Sequence, residues 1–195
     1  MVDKKIIKKL REISGAGMMN CKNALSEASN DLKKALEILR KKGLAAVAKR
    51  MQKETREGSI FSYVHRSKIG VLVEINCETD FVARNEEFKK FGKNIAMQIA
   101  AAHPLYIKKE NVPQEVIEKE KEVLKAQIDQ PKREGIVDKI LEGRLRKFYE
   151  QVCLLEQPFI KDTNIKVNHC LGELVAKIGE NIVIKRFARY ELGEI

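Results

Sequence analysis

The chain has 195 residues, 44% of them hydrophobic and 34% charged, which suits one domain with an appendage, or two small domains, beneath a well-solvated surface. No apolar run approaches the ~20 residues that a membrane-spanning helix needs, and the lysine-rich first ten residues lack the apolar segment of a signal peptide. The four cysteines show no C-x-x-C spacing, so we expect buried reduced thiols, no bound metal and a cytoplasmic protein.

The net charge of +10 is concentrated near the N-terminus. Residues 1–57 contain 15 Lys and Arg against 7 Asp and Glu, whereas the rest of the chain contains 23 against 21. A module with that excess could bind nucleic acid or meet an acidic protein face, and charge alone does not choose between them.

The first 57 residues are predicted to be helical. Apolar residues at helical spacing predict helices over Asp3–Ser14 and Met18–Ala28. A third helix is predicted to start at Asn30 and to end at Gly43, and Leu44–Glu57 reads as a charged linker helix. The predicted inner faces consist of Ile6, Ile7, Leu10, Ile13, Cys21, Ala24, Leu25, Ala28, Leu32, Ala35, Leu36 and Leu39.

A small sheet covered by helices is predicted for the rest of the chain. Alternating residues predict a hairpin of strands Ser59–Arg66 and Ile69–Glu78, which a final strand over Asn181–Leu192 could join. The predicted helices are Asn85–Ala102, Pro113–Asp129, Ile136–Leu155 and Ile165–Ile178.

These elements define the fold class as α+β, with helices packed on a small antiparallel sheet. The predicted domains are a helical N-terminal domain over residues 1–45, a linker helix over residues 46–57, and an α+β core over residues 58–195.

One stretch between a strand and a helix carries the most distinctive side chains. The strand is predicted to run up to Cys77, and Asn85 can cap the helix that follows. The segment Thr79–Val82 is therefore a turn held at both ends by regular structure. It presents the carboxylate of Asp80 beside the apolar ring of Phe81, a pair suited to probing the pocket of another protein.

The sequence lacks the residue patterns of an enzyme. The three histidines, His65, His103 and His169, have no spacing that marks a metal site or a catalytic triad. The phosphate-binding motifs G-x-x-x-x-G-K-[ST] and G-x-G-x-x-G are also missing from the sequence. We therefore expect neither covalent catalysis nor a cofactor of the chain's own.

A basic ribosome- or RNA-associated protein is the alternative function. The first aromatic residue is Phe61, so the basic module offers no platform on which bases could stack. Acids at Glu54 and Glu57 interrupt the basic residues, which favours a solvated helical face and no direct contact with nucleic acid. The candidate phosphate contacts are Arg40, Lys41, Lys42, Lys49, Arg50, Lys53 and Arg56.

Two long segments match signatures of one known family. The first is LREISGAGMMNCK at Leu10–Lys22, and the second is IGVLVEINCETDFVARN at Ile69–Asn85. Shorter matches follow at Ala96–Ala101 and Lys185–Tyr190, and the charged middle, Lys108–Leu155, fits least specifically. Across nearly its whole length the chain resembles bacterial-type elongation factor Ts.

The resemblance implies a guanine-nucleotide exchange factor for elongation factor Tu, the GTPase that delivers aminoacyl-tRNA. It implies that the turn intrudes near the partner's bound magnesium ion and displaces it. Asp80 and Phe81 would be the working residues, with Thr79 and Val82 framing the turn.

The resemblance also implies a ubiquitin-associated-like N-terminal domain that docks on the nucleotide-binding domain of the GTPase. Met18, Met19 and Lys22 are candidates for docking contacts, although either methionine could instead belong to the core of the helical bundle. The chain matches the short form of the family, which has one copy of the core and no coiled-coil insertion. That form implies a homodimer that rebuilds the missing surface.

Overall fold

A computed structural model describes residues 4–14, 16–50, 53–127 and 134–194, with side chains except at positions 40, 43–50 and 134–136. The fold is α+β, as predicted. The helices are α1 (Lys4–Ser14), α2 (Met18–Glu27), α3 (Leu32–Arg50), α4 (Asp80–Arg84), α5 (Glu86–Ala102), α6 (Gln114–Ala126), α7 (Glu134–Val152) and α8 (Val167–Ile178). The strands are β1 (Glu57–His65), β2 (Ile69–Cys77), β3 (Pro158–Phe159), β4 (Asp162–Lys166) and β5 (Ile182–Glu191).

Contacts along the chain divide it into two compact units. The first unit comprises the residues up to Gly58 together with Asn76–Phe88 and Leu171–Val183. The second comprises Ser59–Ile75, Lys89–Cys170 and the residues from Ile184 onward.

The N-terminal helices pack as the predicted bundle. Small residues on α2 and α3, such as Ala24 and Ala35, allow the three helices to approach closely around Leu10 and Leu25. Ile13 was predicted to face inward, but it is exposed at the end of α1, so that part of the prediction is wrong. The buried core is Ile7, Leu10, Cys21, Ala24, Leu25, Ala28 and Ala35.

The third helix is longer than predicted. It passes through Gly43 and continues to Arg50, so Gly43 does not end it. A glycine inside a helix costs about 1 kcal/mol, and the helix-forming residues of the following LAAVAKR segment offset that cost. Residues 53–56 are irregular and β1 begins at Glu57, so the prediction of a linker helix is wrong for residues 53–57. Residues 51–52 lie outside the described residues.

The last strand joins the hairpin, as predicted, and the three-stranded sheet has the order β1-β2-β5. Arg66 and Ser67 both have positive φ, at 48° and 56°, and the Lys68 N–H donates to the His65 carbonyl over 2.9 Å. These angles define a two-residue type I′ hairpin between β1 and β2. The Leu192 N–H donates to the Lys68 carbonyl over 2.8 Å, which places the end of β5 beside the start of β2.

Two further regions differ from prediction. The short antiparallel pair β3–β4 was not predicted; it places Phe159 opposite Asp162, and α8 begins only at Val167. In the charged middle of the chain, α6 and α7 pack against each other. The side chain of Arg144 on α7 donates to Gln127 Oε1 over 3.3 Å, just beyond the end of α6.

Candidate functional site

The segment Thr79–Val82, called the corner below, follows β2 directly. From Val71 onward the strand alternates buried residues with exposed or half-buried ones, and it ends at the fully buried Cys77. A plain turn was predicted next, but Asp80 opens the five-residue helix α4, so Asp80–Val82 form a helical turn. Asn85 then caps α5 as predicted, because its Oδ1 accepts the Glu87 N–H over 2.8 Å.

The corner exposes the side chains of Asp80 and Phe81, the two residues predicted to act on the partner. The Phe81 ring is 80% exposed, a large fraction for an aromatic side chain on an ordered element. Val82, the next residue, is buried and anchors the backbone beneath that ring. Asp80 is about half exposed, and its Oδ2 lies 2.9 Å from the Arg84 guanidinium one turn along α4. A carboxylate and an apolar ring therefore project from one anchored turn.

The residue that precedes this pair is held by a carboxylate from a distant part of the chain. The Thr79 N–H donates to Glu180 Oε2 over 3.0 Å, and its hydroxyl donates to Glu180 Oε1 over 2.7 Å. Both donors of one residue thus reach the two oxygens of one side chain. Hydrogen bonds to a charged acceptor are stronger than bonds between neutral groups.

A second set of bonds runs in the opposite direction. The N–H of Asn181, which follows Glu180, donates to Glu78 Oε1 over 2.6 Å. Glu78 Oε2 in turn pairs with Lys53 Nζ over 2.9 Å, and the carbonyl of Lys53 accepts from Asn181 Nδ2 over 2.7 Å. The corner is therefore braced against the start of β5 and against the chain that leads into β1.

The thiol of Cys77 contributes one more local bond. Burial, helped by the nearby carboxylates of Glu180 and Glu57, raises the pKa of Cys77 to about 11. The thiol is therefore protonated at neutral pH, and its Sγ donates to the Thr79 carbonyl over 3.2 Å. Every polar group of the Thr79 backbone is thus bonded to a buried or half-buried partner.

None of these braces was predicted from the sequence. Glu180 follows the glycine that ends α8, and Asn181 was read only as the first residue of the last strand. No local spacing marks them, because they lie about 100 positions from Thr79 along the chain. Only the fold brings them to the corner.

The predicted docking residues lie at the start of α2. Met18 and Met19 are 47% and 63% exposed, so neither belongs to the bundle core. Lys22 is exposed one turn later, and all three belong to the same compact unit as the corner. Their role in docking stays a prediction.

The predicted phosphate contacts are only partly described. Lys53 pairs with Glu78, and Arg56 pairs with Glu54 over 2.8 Å, so both cations have acidic partners. Lys42 pairs with Glu27. Lys41 is exposed, whereas the side chains of residues 40, 49 and 50 lie outside the described residues.

The described part of the chain has neither a metal-binding cluster nor a membrane-spanning helix. Within it, His, Cys, Asp and Glu side chains form no group of three that could hold a metal ion. No helix of that part is long and apolar enough to cross a membrane.

Comparison with known proteins assigns the chain to a family. The sequence profile described as Elongation factor TS matches residues 2–194. Elongation factor Ts of Carboxydothermus hydrogenoformans is 59% identical over 100% of this chain and 90% of its own length. The protein of the same name from Caldanaerobacter subterraneus is 58% identical over 100% of this chain and 98% of its own length. The one from Thermotoga maritima is 57% identical over 97% of this chain and 95% of its own length. The chain that carries the braced corner therefore belongs to the elongation factor Ts family of translation elongation factors.

Proposed function

We propose that this chain is a guanine-nucleotide exchange factor that binds elongation factor Tu in its GDP form and promotes GDP release. Membership of the elongation factor Ts family supports a role in translation elongation. The observation that carries the finer proposal is the exposed Phe81 ring on a corner whose first residue, Thr79, is held by Glu180 through its backbone N–H and its hydroxyl.

The corner is proposed to act on the magnesium ion that the partner holds with its nucleotide. Magnesium requires near-octahedral geometry at short distances, so a small shift of its ligands weakens its binding. Phe81 would enter an apolar gap in the partner as a wedge, and Asp80 would compete for hydrogen bonds beside the ion. Once the ion leaves, the phosphates of GDP lose their main counter-charge, and the nucleotide dissociates faster.

This action requires no covalent chemistry and no cofactor. The factor and GDP bind the partner with unfavourable mutual coupling, and linkage makes that coupling reciprocal. A coupling of about 4 kcal/mol changes affinity nearly a thousandfold. GTP in excess then completes the exchange and releases the factor. Met18, Met19 and Lys22 are proposed to dock on the GTPase, in the cytoplasm where translation takes place.

Release of fluorescent GDP from purified elongation factor Tu tests this proposal. We expect wild-type protein to accelerate release, and we expect Phe81→Ala and Asp80→Ala each to lower the stimulated rate by about tenfold or more. Arg84→Ala is the matched control for Asp80, because it breaks the same ion pair but leaves the carboxylate. Leu105→Ala, which removes another exposed apolar side chain, is the control for Phe81. Wild-type activity in both corner variants would refute the magnesium mechanism.

The alternative of an RNA-associated protein has one specific observation behind it. Lys41, one of the candidate phosphate contacts between residues 40 and 56, is exposed. RNA binding through those contacts would weaken steeply with salt, and Lys41→Glu would reduce it. If the protein binds RNA in that way and leaves GDP release unchanged, the RNA-associated function replaces the exchange function.

The protein is also proposed to form a homodimer. The three-stranded sheet exposes large apolar side chains on all three strands, among them Ile60, Val64, Leu72 and Tyr190. Exposed apolar side chains that cluster on a surface are typical of an interface between proteins. A second copy of the chain would cover it.

A further inference from the structure

We infer that Glu180 is a positioning residue for nucleotide exchange, which sets the presentation of Asp80 and Phe81 by holding Thr79. The inference rests on the proposed function. Glu180 is half-buried and does not need to contact the partner, since it acts through the backbone and hydroxyl of Thr79.

The hydrogen bonds of Glu180 are suited to orienting the Thr79 peptide. Its two oxygens accept the two donors of Thr79, the residue directly before the Asp80-Phe81 pair. A bidentate grip fixes both the position and the rotation of the Thr79 peptide, which one hydrogen bond would leave free to turn. The direction in which α4 leaves the strand, and with it the direction of the Phe81 ring, depends on that peptide.

Glu180 is itself fixed from both sides. Gly179, which precedes it, ends α8 with a positive φ of 90° and donates its N–H to the Val175 carbonyl over 2.9 Å. Asn181, which follows it, is buried and donates through its backbone N–H to Glu78 and through its side chain to the carbonyl of Lys53. The carboxylate is therefore presented to Thr79 by a backbone with little freedom.

The chemistry of the pair predicts which substitutions keep the grip. A hydroxyl can donate or accept a hydrogen bond, whereas an N–H can only donate. In Glu180→Gln, the amide oxygen can accept the Thr79 N–H while the amide nitrogen donates to the Thr79 hydroxyl. Glutamine therefore preserves both contacts without the charge, and alanine removes both.

The test measures stimulated release of fluorescent GDP at increasing factor concentration. For Glu180→Ala, we expect the maximal rate to fall by about tenfold, because a mobile corner reaches the productive arrangement less often. We expect the half-saturating concentration to stay within about twofold of wild type, because the docking residues on α2 are unchanged. Glu180→Gln should restore the maximal rate to within about threefold of wild type.

Further variants separate positioning from general loss of structure. Glu87→Ala removes another half-exposed carboxylate of the same unit, one that pairs with Lys177, and should leave the maximal rate unchanged. Thr79→Val removes only the hydroxyl donor, so we expect a smaller fall of about threefold, which Thr79→Ser should reverse. The threonine pair carries the test if Glu180→Ala does not fold.

The outcomes distinguish the inference from the function on which it rests. If wild-type protein does not accelerate GDP release, the proposed function fails. If Phe81→Ala impairs release but Glu180→Ala and Thr79→Val match wild type, the function stands and the role of Glu180 is refuted. A fall in Glu180→Ala that Glu180→Gln shares fully would also refute it, because the hydrogen bonds would then not be the cause.

Discussion

At the scale of single residues, two buried glutamines, Gln98 and Gln157, hold a strand pair to a helix through their hydrogen bonds. Gln98 on α5 is fully buried, and its amide donates to Gln157 Oε1 and to the Pro158 carbonyl, each over 3.2 Å. Its own Oε1 accepts the Ile160 N–H over 2.8 Å. Gln157 continues the network by donating to the Ala102 carbonyl over 3.2 Å. These bonds hold the β3–β4 pair to α5.

We predict that Gln98→Leu destabilises the protein by about 3 kcal/mol, because it fills the same space but leaves buried donors and acceptors unpaired. Urea unfolding followed by circular dichroism measures the change. Gln114→Leu is the matched control, since Gln114 is exposed and its side-chain amide donates to Glu118 Oε1 over 3.1 Å along α6. We expect the control to change stability by less than about 0.5 kcal/mol. Equal stability of Gln98→Leu and wild type would contradict this account.

The residues of the corner illustrate what local pattern can and cannot predict. Phe81 was identifiable because alternating buried residues lead up to it and a capping asparagine follows at Asn85. Glu180 was not identifiable, because its contact with Thr79 depends on how two distant segments pack. Side chains that present a site are readable from neighbouring residues, whereas side chains that brace it are visible only in the fold.

At the scale of elements, two glycines show that glycine can either lie within a helix or end one. Gly43 sits within α3 because helix-forming residues follow it. Gly179 ends α8 in a left-handed conformation, and β5 begins soon after. The positive φ is accessible to glycine, but the residues that follow decide whether the helix uses it.

A third glycine, Gly92 of α5, lets that helix approach the sheet. A methyl group at this position would overlap the ring of Phe61, which is buried on β1. We predict that Gly92→Ala destabilises the protein by about 1–3 kcal/mol despite alanine's higher helix propensity, because the helix and strand must separate. The measurement is the midpoint of thermal or urea unfolding.

Gly143 of α7 provides the control for that prediction. A methyl group there meets no atom within 4 Å among the described residues, so Gly143→Ala should stabilise the protein by about 0.5–1 kcal/mol. If Gly92→Ala is stabilising to the same extent, close packing of Phe61 on α5 is not what selects glycine.

At the scale of the whole molecule, the exposed sheet face predicts the state of assembly. Leu72 lies on the central strand of the sheet and is exposed. We predict that Leu72→Lys converts the proposed dimer into a monomer. Dimerisation would bury the lysine ammonium group in the interface, and removing that charge from water costs free energy. Light scattering measures the molar mass, which should halve, while circular dichroism should stay unchanged.

Leu105→Lys is the control for the assembly, because it places the same charge at an exposed leucine outside the sheet. It should leave the dimer intact. A monomeric wild-type protein, or a Leu72→Lys variant that remains a dimer, would show that the sheet face is not the interface. The predicted division into residues 1–45, 46–57 and 58–195 stays a prediction.

The bonds between Thr79 and Glu180 join positions that are 101 residues apart along the chain. While a ribosome synthesises this protein, the family signature emerges long before Glu180 is added to the growing polypeptide. A nascent or prematurely terminated product therefore carries the signature without the means to hold it rigid. Under the proposed function, a fragment that stops before Glu180 would present Phe81 without these hydrogen bonds, so it would stimulate GDP release less than a chain that contains Glu180.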